Sequence, residues 1–340
     1  MTTRPESDYQ LTFNPIALSH FIIIHGMALF AFFPFAFSWS AVALMLFMYW
    51  LTASIGICLG YHRYLTHRGF TLPKWLAYFI VFCGALACQN GPIKWVGQHR
   101  IHHAGSDTLE DPHSAEKGFW WSHFTWMLFT HSKFDDKKVL SDYTKDFSND
   151  KFYQFLDNYF IIIQIVFGLT LYAIGGFPWV VWGVFVRLVI AYHSTWFVNS
   201  AAHTFGYITF PLKGDLSTNC WWVGLLAWGE GWHNNHHAFP KSARHGLRPW
   251  EIDMTWWVIC LLEKLGLAKD IKVAKLQPNP AHKKNADAGP AFIGKIVTSM
   301  FIYIPNQPIL LWELIQKETR MKEQETKVSC LDMLVMKQKF

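Results

Sequence analysis

The chain has 340 residues, 51% of them hydrophobic and 17% aromatic, with 16% charged and a formal net charge of +6. It is too apolar and too rich in Trp and Phe for an ordinary soluble domain. The positive balance does not point to nucleic acid, because no stretch interleaves basic and aromatic residues as a nucleic-acid module does; it fits a membrane surface instead.

In chain order, residues 1–15 read as a short cytoplasmic N-terminal segment, and 16–272 as one membrane domain. No Lys, Arg, Asp or Glu occurs between Ile16 and Gly60. A spanning helix needs about 20 apolar residues, so this stretch holds two, His20–Phe37 and Ala41–Gly60, turning near Ser38–Ser40. Leu76–Gln89 is also apolar but only about 14 residues long, which suits a buried or surface-packed helix. Were it to cross, the histidine motifs on either side of it would face opposite sides of the bilayer. A second pair of spans runs over Tyr159–Ile174 and Pro178–Ser200, turning at Gly175-Gly176. The expected fold is all-α: four transmembrane helices in two hairpins under a helical cap. Arg187 is the sole Lys or Arg inside either hairpin. The other basic residues flank the spans on the histidine side, which makes that side, and the active site, cytoplasmic in a multi-pass protein. The first hairpin is expected to serve as an uncleaved insertion signal. The cysteines form no C-x-x-C pair and read as reduced thiols. Residues 273–340 form an extension of unassigned role. It is apolar over Phe292–Trp312 but broken by Lys295, Pro305 and Pro308, which suits a surface-lying element better than a fifth span.

Three histidine clusters punctuate this pattern: His62 and His67 in HRYLTH, His99, His102 and His103 in HRIHH, and His233, His236 and His237 in HNNHH. The last two have i, i+3, i+4 spacing, so each presents its imidazoles along one helix side. His62 and His67 are five apart, which on an α-helix turns the second ring by about 140° and aims the two at different metals. Imidazole is the commonest transition-metal ligand, and eight are too many for one ion. A thiol-free site with more than four ligands suits a redox pair better than zinc. Ligating histidines need their other ring nitrogen held, and Glu110, Asp111 and Glu230 are the nearest acids. Among the other histidines, His20, His25 and His193 are expected to bond within the spans, and His113 to lie near the site. His123, His131, His245 and His282 read as surface or loop residues. A membrane metal transporter would need its ligands within the spans, and a haem cytochrome would need facing histidine pairs there.

GYHRYLTH, WVGQHRIHH followed by DPH, NSAAH and GEGWHNNHHAFP resemble the membrane fatty acyl desaturases of the delta-9 branch, with a likeness to bacterial and cyanobacterial members acting on lipid acyl chains. The resemblance runs from about Asn14 to Lys272. It implies two Fe2+ ions held by nine histidines, adding His203, with Asn199 reaching a metal through water. It also implies oxygen-dependent formation of a cis double bond, with no catalytic side chain beyond the ligands. Gln89, Trp95, Thr195 and Trp196 match positions that bend the substrate tunnel. Trp50 and Ser54, two to three turns before His62, are candidates to close it and set chain length. Acyl-CoA members carry Arg-Asp directly before the second cluster. Here Gly97-Gln98 stands there, which favours a lipid-linked acyl chain over acyl-CoA, although Lys94, Lys133, Lys137 and Lys138 could meet phosphate. A hydroxylase could share the same cluster. No haem or flavin motif is present, so electrons come from a separate protein: ferredoxin for the lipid branch, a cytochrome-b-type donor for the CoA branch.

Overall fold

The structure, a computed structural model, describes residues 10–108 and 110–275. The expectations for His282 and Phe292–Trp312 fall outside these residues, as does the 276–340 part of the extension.

A short strand, β1 (Leu11–Phe13), leads into helix α1 (Pro15–Ala28). Asn14 starts α1: its side-chain oxygen accepts the Ala17 N–H at 3.1 Å, and Pro15 occupies the first position, where no amide donor is needed. Tight turns carry the apolar run on to Phe32, and Phe33 then leaves helical geometry because Pro34 follows it. The first apolar stretch is therefore Pro15–Phe32 rather than His20–Phe37. Ser38 caps helix α2, Trp39–Thr66, which is 28 residues long and runs beyond Gly60 through the HRYLTH motif. From Trp50 onward its backbone widens to π-helical winding.

Helix α3 (Lys74–Ala85) is 12 residues long, too short to cross, and lies along the wide half of α2. Gly56 and Gly84 permit this: a Cβ on Gly56 would sit 2.4 Å from the Gly84 nitrogen. A turn with positive φ at Cys88 and Asn90 leads to α4 (Pro92–Ala104), which carries the second cluster. Then follow α5 (Phe119–His123), β2 (Phe129–His131), paired antiparallel with β1, and α6 (Lys137–Tyr143).

Helix α7 (Lys151–Val180) is interrupted at Gly176, whose φ of 65° favours glycine, and α8 is Arg187–Ser200. The chain reverses at this break. Arg187 donates to Gln164 Oε1 at 3.0 Å, whereas 23 residues of straight helix would separate them by about 35 Å. Both α1 and α2 pack on the Val181–Val186 segment that joins α7 to α8. The remaining helices, α9 (Trp221–Leu226), α10 (His233–Ala238) and α11 (Met254–Lys264), complete the described part.

Among the described residues, three stretches are long and apolar enough to cross a membrane: Pro15–Phe32, Trp39–Thr66 and Lys151–His203, the last folded back at Gly176. Large apolar side chains such as Ile22, Phe47, Ile165 and Leu169 are exposed along them. Arg187 is fully buried among these helices. It donates to Gly183 O, Thr52 Oγ1, Leu86 O and Gln164 Oε1, all uncharged acceptors.

Candidate metal centre

The wide winding of α2 decides where the first cluster points. The His67 N–H donates to His62 O at 3.1 Å, an i→i+5 bond that places the fifth residue roughly one turn on. The two rings therefore lie side by side, centroids 4.7 Å apart, and not on separate sides as α-helical spacing suggested. On α4 and α10 the clusters divide. The ring nitrogens of His62, His67, His99, His103 and His236 gather within 4.8 Å of one another, and those of His102, His203, His233 and His237 do the same. All nine histidines named from the sequence are in these two groups.

Helix α10 is too short to fix itself, and the two asparagines inside HNNHH anchor it. Asn235 donates to Glu251 Oε2 at 2.8 Å and to His245 O at 3.0 Å, while Asn234 donates to Phe210 O at 2.9 Å. Spacing arguments passed over both, although buried amides need partners of this kind.

Carboxylates brace the rings from outside. Asp111 accepts from His102 Nδ1 at 2.8 Å, Asp107 from His203 Nδ1 at 2.8 Å and Asp215 from His237 Nδ1 at 2.6 Å, while a Glu230 oxygen lies 2.8 Å from His62 Nδ1 as a close polar contact. Each bond keeps the proton on Nδ1 and turns the Nε2 lone pair inward. Glu110 does not take part; it is exposed and pairs with Lys133. Asp107 was recognisable by its closeness to His103, whereas Asp215 comes from a distant loop with no local signal. His245, expected on the surface or in a loop, sits in a loop but is buried, 2.9 Å from Glu230. Arg63 is buried beside them, held by Glu230 and by Asp253 at 2.9 Å.

Burial alone would raise the Asp111 and Glu230 carboxyls. Their basic neighbours, His102 and His113 for one, Arg63, His245 and His62 for the other, hold both well below the usual carboxylate range. Burial and neighbouring imidazoles push His99, His103, His233 and His236 down, and burial takes His237 to about 4. These rings are thus neutral at pH 7, the form that ligates a metal. Nε2 of His67, Nε2 of His203 and both nitrogens of His233 are buried with no hydrogen-bond partner among the described residues. Nε2 atoms also face each other, 3.0 Å apart between His103 and His236 and 3.3 Å between His102 and His237. Such converging, unpartnered nitrogens are costly in a bare protein and fit a pair of metal ions.

A cavity of about 390 Å³ reaches the first group, and His99, Asn199, Gln89, Trp95, Thr195 and Trp196 all line it. Gln89 donates to Thr195 Oγ1 at 3.0 Å, and Trp95 stacks on His99 with centroids 5.0 Å apart. Trp50 and Ser54 do not line this cavity. Trp50 is exposed on the outside of α2, and the Ser54 hydroxyl meets Thr255 on α11 at 3.4 Å.

Four other histidines bond away from the groups. His20 meets the Tyr192 hydroxyl at 2.9 Å, and His25, His193 and His123 form a file of contacts at 3.2 and 3.0 Å that ends on Ser200. His123 and His131, expected on the surface or in loops, are buried in α5 and β2, and His113 lies against the His102 ring, centroids 4.4 Å apart.

Residues 37–259 match the family model described as fatty acid desaturase. The chain is 58% identical over 254 residues to an sn-1 stearoyl-lipid 9-desaturase of Anabaena variabilis, covering 75% of this chain and 92% of that one. It is 53% identical over 252 residues to an sn-2 palmitoyl-lipid 9-desaturase of Nostoc sp., covering 74% and 87%. It is also 45% identical over 277 residues to an acyl-CoA 5-desaturase of Anemone leveillei, covering 80% and 83%.

Proposed function

The chain belongs to the fatty acid desaturase family of oxidoreductases, and we propose that it inserts a cis double bond at the delta-9 position of a saturated acyl chain carried by a membrane lipid. The observation that carries this reading is the pair of histidine groups beside a cavity lined by Gln89, Trp95, Thr195 and Trp196. His62, His67, His99, His103 and His236 would hold one iron. His102, His203, His233 and His237 would hold the other, with Asn199 reaching it through water. The irons, as Fe2+ supplied with oxygen and two electrons, would provide the oxidising power for removing two hydrogens.

The protein's own part is positional. The Gln89–Thr195 bond fixes the bend that presents one carbon pair, and the indoles of Trp95 and Trp196 wall it off from water. Trp95, stacked on His99, ties the bend to a ligand. Asp111, Asp107 and Asp215 keep their rings aimed inward, and Glu230 stands beside His62. The chain-length role suggested for Trp50 and Ser54 is not carried over, since neither lines this cavity. Four spans in two hairpins put the histidine groups at the cytoplasmic face, where a separate ferredoxin would deliver electrons; a cytochrome-b-type donor is the alternative.

Lipid-linked substrate is favoured by the surroundings of Lys94, which pairs with Asp135 at 2.7 Å and is not free for a nucleotide phosphate. The acyl-CoA reading keeps one supporting observation, the exposed Lys137 and Lys138 on α6. The test is mass spectrometry of products from iron-loaded enzyme given oxygen, a reductant and either stearoyl lipid or stearoyl-CoA. A new double bond in the lipid arm is expected. Its absence from both arms, or iron-free active material, overturns the proposal.

A further inference from the structure

The cavity beside the first histidine group is not enclosed by the cap. Its wall includes Trp196, which is 6% exposed, and also Ile16 and Ile161, which are 81% and 42% exposed. Ile16 and Ala17 begin α1, and Phe160 and Ile161 lie on α7, both within stretches apolar enough to cross a membrane. The main partners of α1 are the Val181–Val186 segment and α8, and those of α7 are α2, α3 and α4 as well as that segment. The two helices leave a seam between them. Aromatic side chains back the seam rather than backbone: Phe21 stacks on Phe124 at 5.3 Å and on Trp196 at 6.2 Å.

The outer rim of the same cavity is polar but electrically balanced. Lys94 is the one Lys or Arg on its wall among the described residues, and Asp135 neutralises it. The same carboxylate accepts Gln98 Nε2 at 3.1 Å and the His131 N–H at 2.8 Å, so it is locked in place. Asn14, whose amide donates to Thr130, completes this edge.

We propose that the seam between α1 and α7 is a lateral portal through which the acyl chain of an intact bilayer lipid enters from the side, while its head group stays at the rim formed by Asn14, Gln98 and the Lys94–Asp135 pair. This deepens the lipid-desaturase reading and rests on it for the identity of the substrate. A chain still joined to a diacyl lipid would have to drag its partner chain through water to enter from above, losing the burial of every methylene on the way. Entry from the side keeps both chains in an apolar medium. The portal residues Ile16, Ala17, Phe160 and Ile161 are consequently all apolar, and the balanced rim takes up a head group without demanding phosphate.

The test uses full-length, iron-loaded protein in phosphatidylcholine vesicles containing a phosphatidylcholine with a diazirine midway along one stearoyl chain. Ala17→Trp and Ile161→Trp narrow the portal. Ile22→Trp and Ile165→Trp, exposed on the same helices but away from the cavity, serve as controls. Wild type and controls should cross-link lipid to the Thr195–Asn199 peptide and desaturate stearoyl lipid at similar rates. Both portal variants should lose ten-fold or more in each readout, with melting temperature and iron content unchanged. Portal variants that cross-link like wild type overturn the inference. So does absence of the Thr195–Asn199 cross-link from wild type. A wild type that cross-links there yet makes no double bond overturns the desaturase reading and leaves the portal standing.

Discussion

The two histidine groups are built differently. In the group of His102, His203, His233 and His237, three of four rings are braced by a carboxylate: Asp111, Asp107 and Asp215. In the group of five, among the described residues, only His62 meets a carboxylate, and that carboxylate, Glu230, is shared with His245 and Arg63. Braced rings are held in one tautomer and orientation before any ion arrives, and three nearby anions favour positive charge there. The five-ring group relies on the winding of α2 and on crowding for its shape, and Arg63 offsets its single anion. The group of four is therefore the more preorganised arrangement, and the group of five, which meets the cavity through His99, the more adjustable one.

The largest effect should come from removing a ring. His102→Ala or His236→Ala should abolish desaturation and lower iron to one ion per chain or fewer. Full activity in either would break the division into two sites. Next come the braces. Asp111→Asn and Asp107→Asn should each lower iron affinity or turnover by roughly 10–100-fold while the fold stays intact. Glu230→Gln should cost activity and also stability, because buried Arg63 would keep only Asp253 as an ionic partner. Equal melting temperatures for Glu230→Gln and Asp107→Asn would erase the contrast, and Glu110→Gln should change nothing.

A smaller effect is expected at the rim. Asp135→Asn frees Lys94 and should raise turnover of anionic stearoyl lipid relative to neutral lipid by a few fold, read from product ratios in mixed vesicles. An unchanged ratio would remove Asp135 from head-group selection.

The smallest effect lies outside both groups. Burial takes His123 and His131 down to about 4, with His193 adding to the first and Lys117 to the second. The unfolded chain binds these protons near pH 6.5, so their contribution to stability is full above that pH and is lost as pH falls toward 4. Replacing both by Gln should therefore shrink the drop in melting temperature between pH 7.5 and pH 6 by roughly 2–4 °C. An unchanged drop would contradict it.

Much of this was legible in the sequence because it is local. Gly175-Gly176 marks the reversal between α7 and α8, and the shortness of Leu76–Gln89 matches a helix that stops at Ala85. Eight ligand candidates lie in three motifs, and the ninth, His203, came from the family resemblance. What spacing misjudged was the pairing of His62 with His67, since an α-helical pitch was applied to a backbone wound five residues per hydrogen bond. Asp215 and His245 were missed for a different reason: loops remote in sequence bring them to the rings, and no local pattern records that. Trp50 was named by distance along α2, but it is exposed and does not line the cavity.

Arg187 has a consequence for how the chain is assembled. A guanidinium carried into hydrocarbon by a lone helix costs about 2.5–3.5 kcal/mol on insertion scales. Its acceptors here come from α2, the end of α3 and α7 as well as its own helix. In the proposed bilayer arrangement, α8 cannot settle until those earlier segments are already in place. Biogenesis thus acquires an order, with α8, the last made of these described spans, acting as a latch that closes only on a correctly gathered bundle.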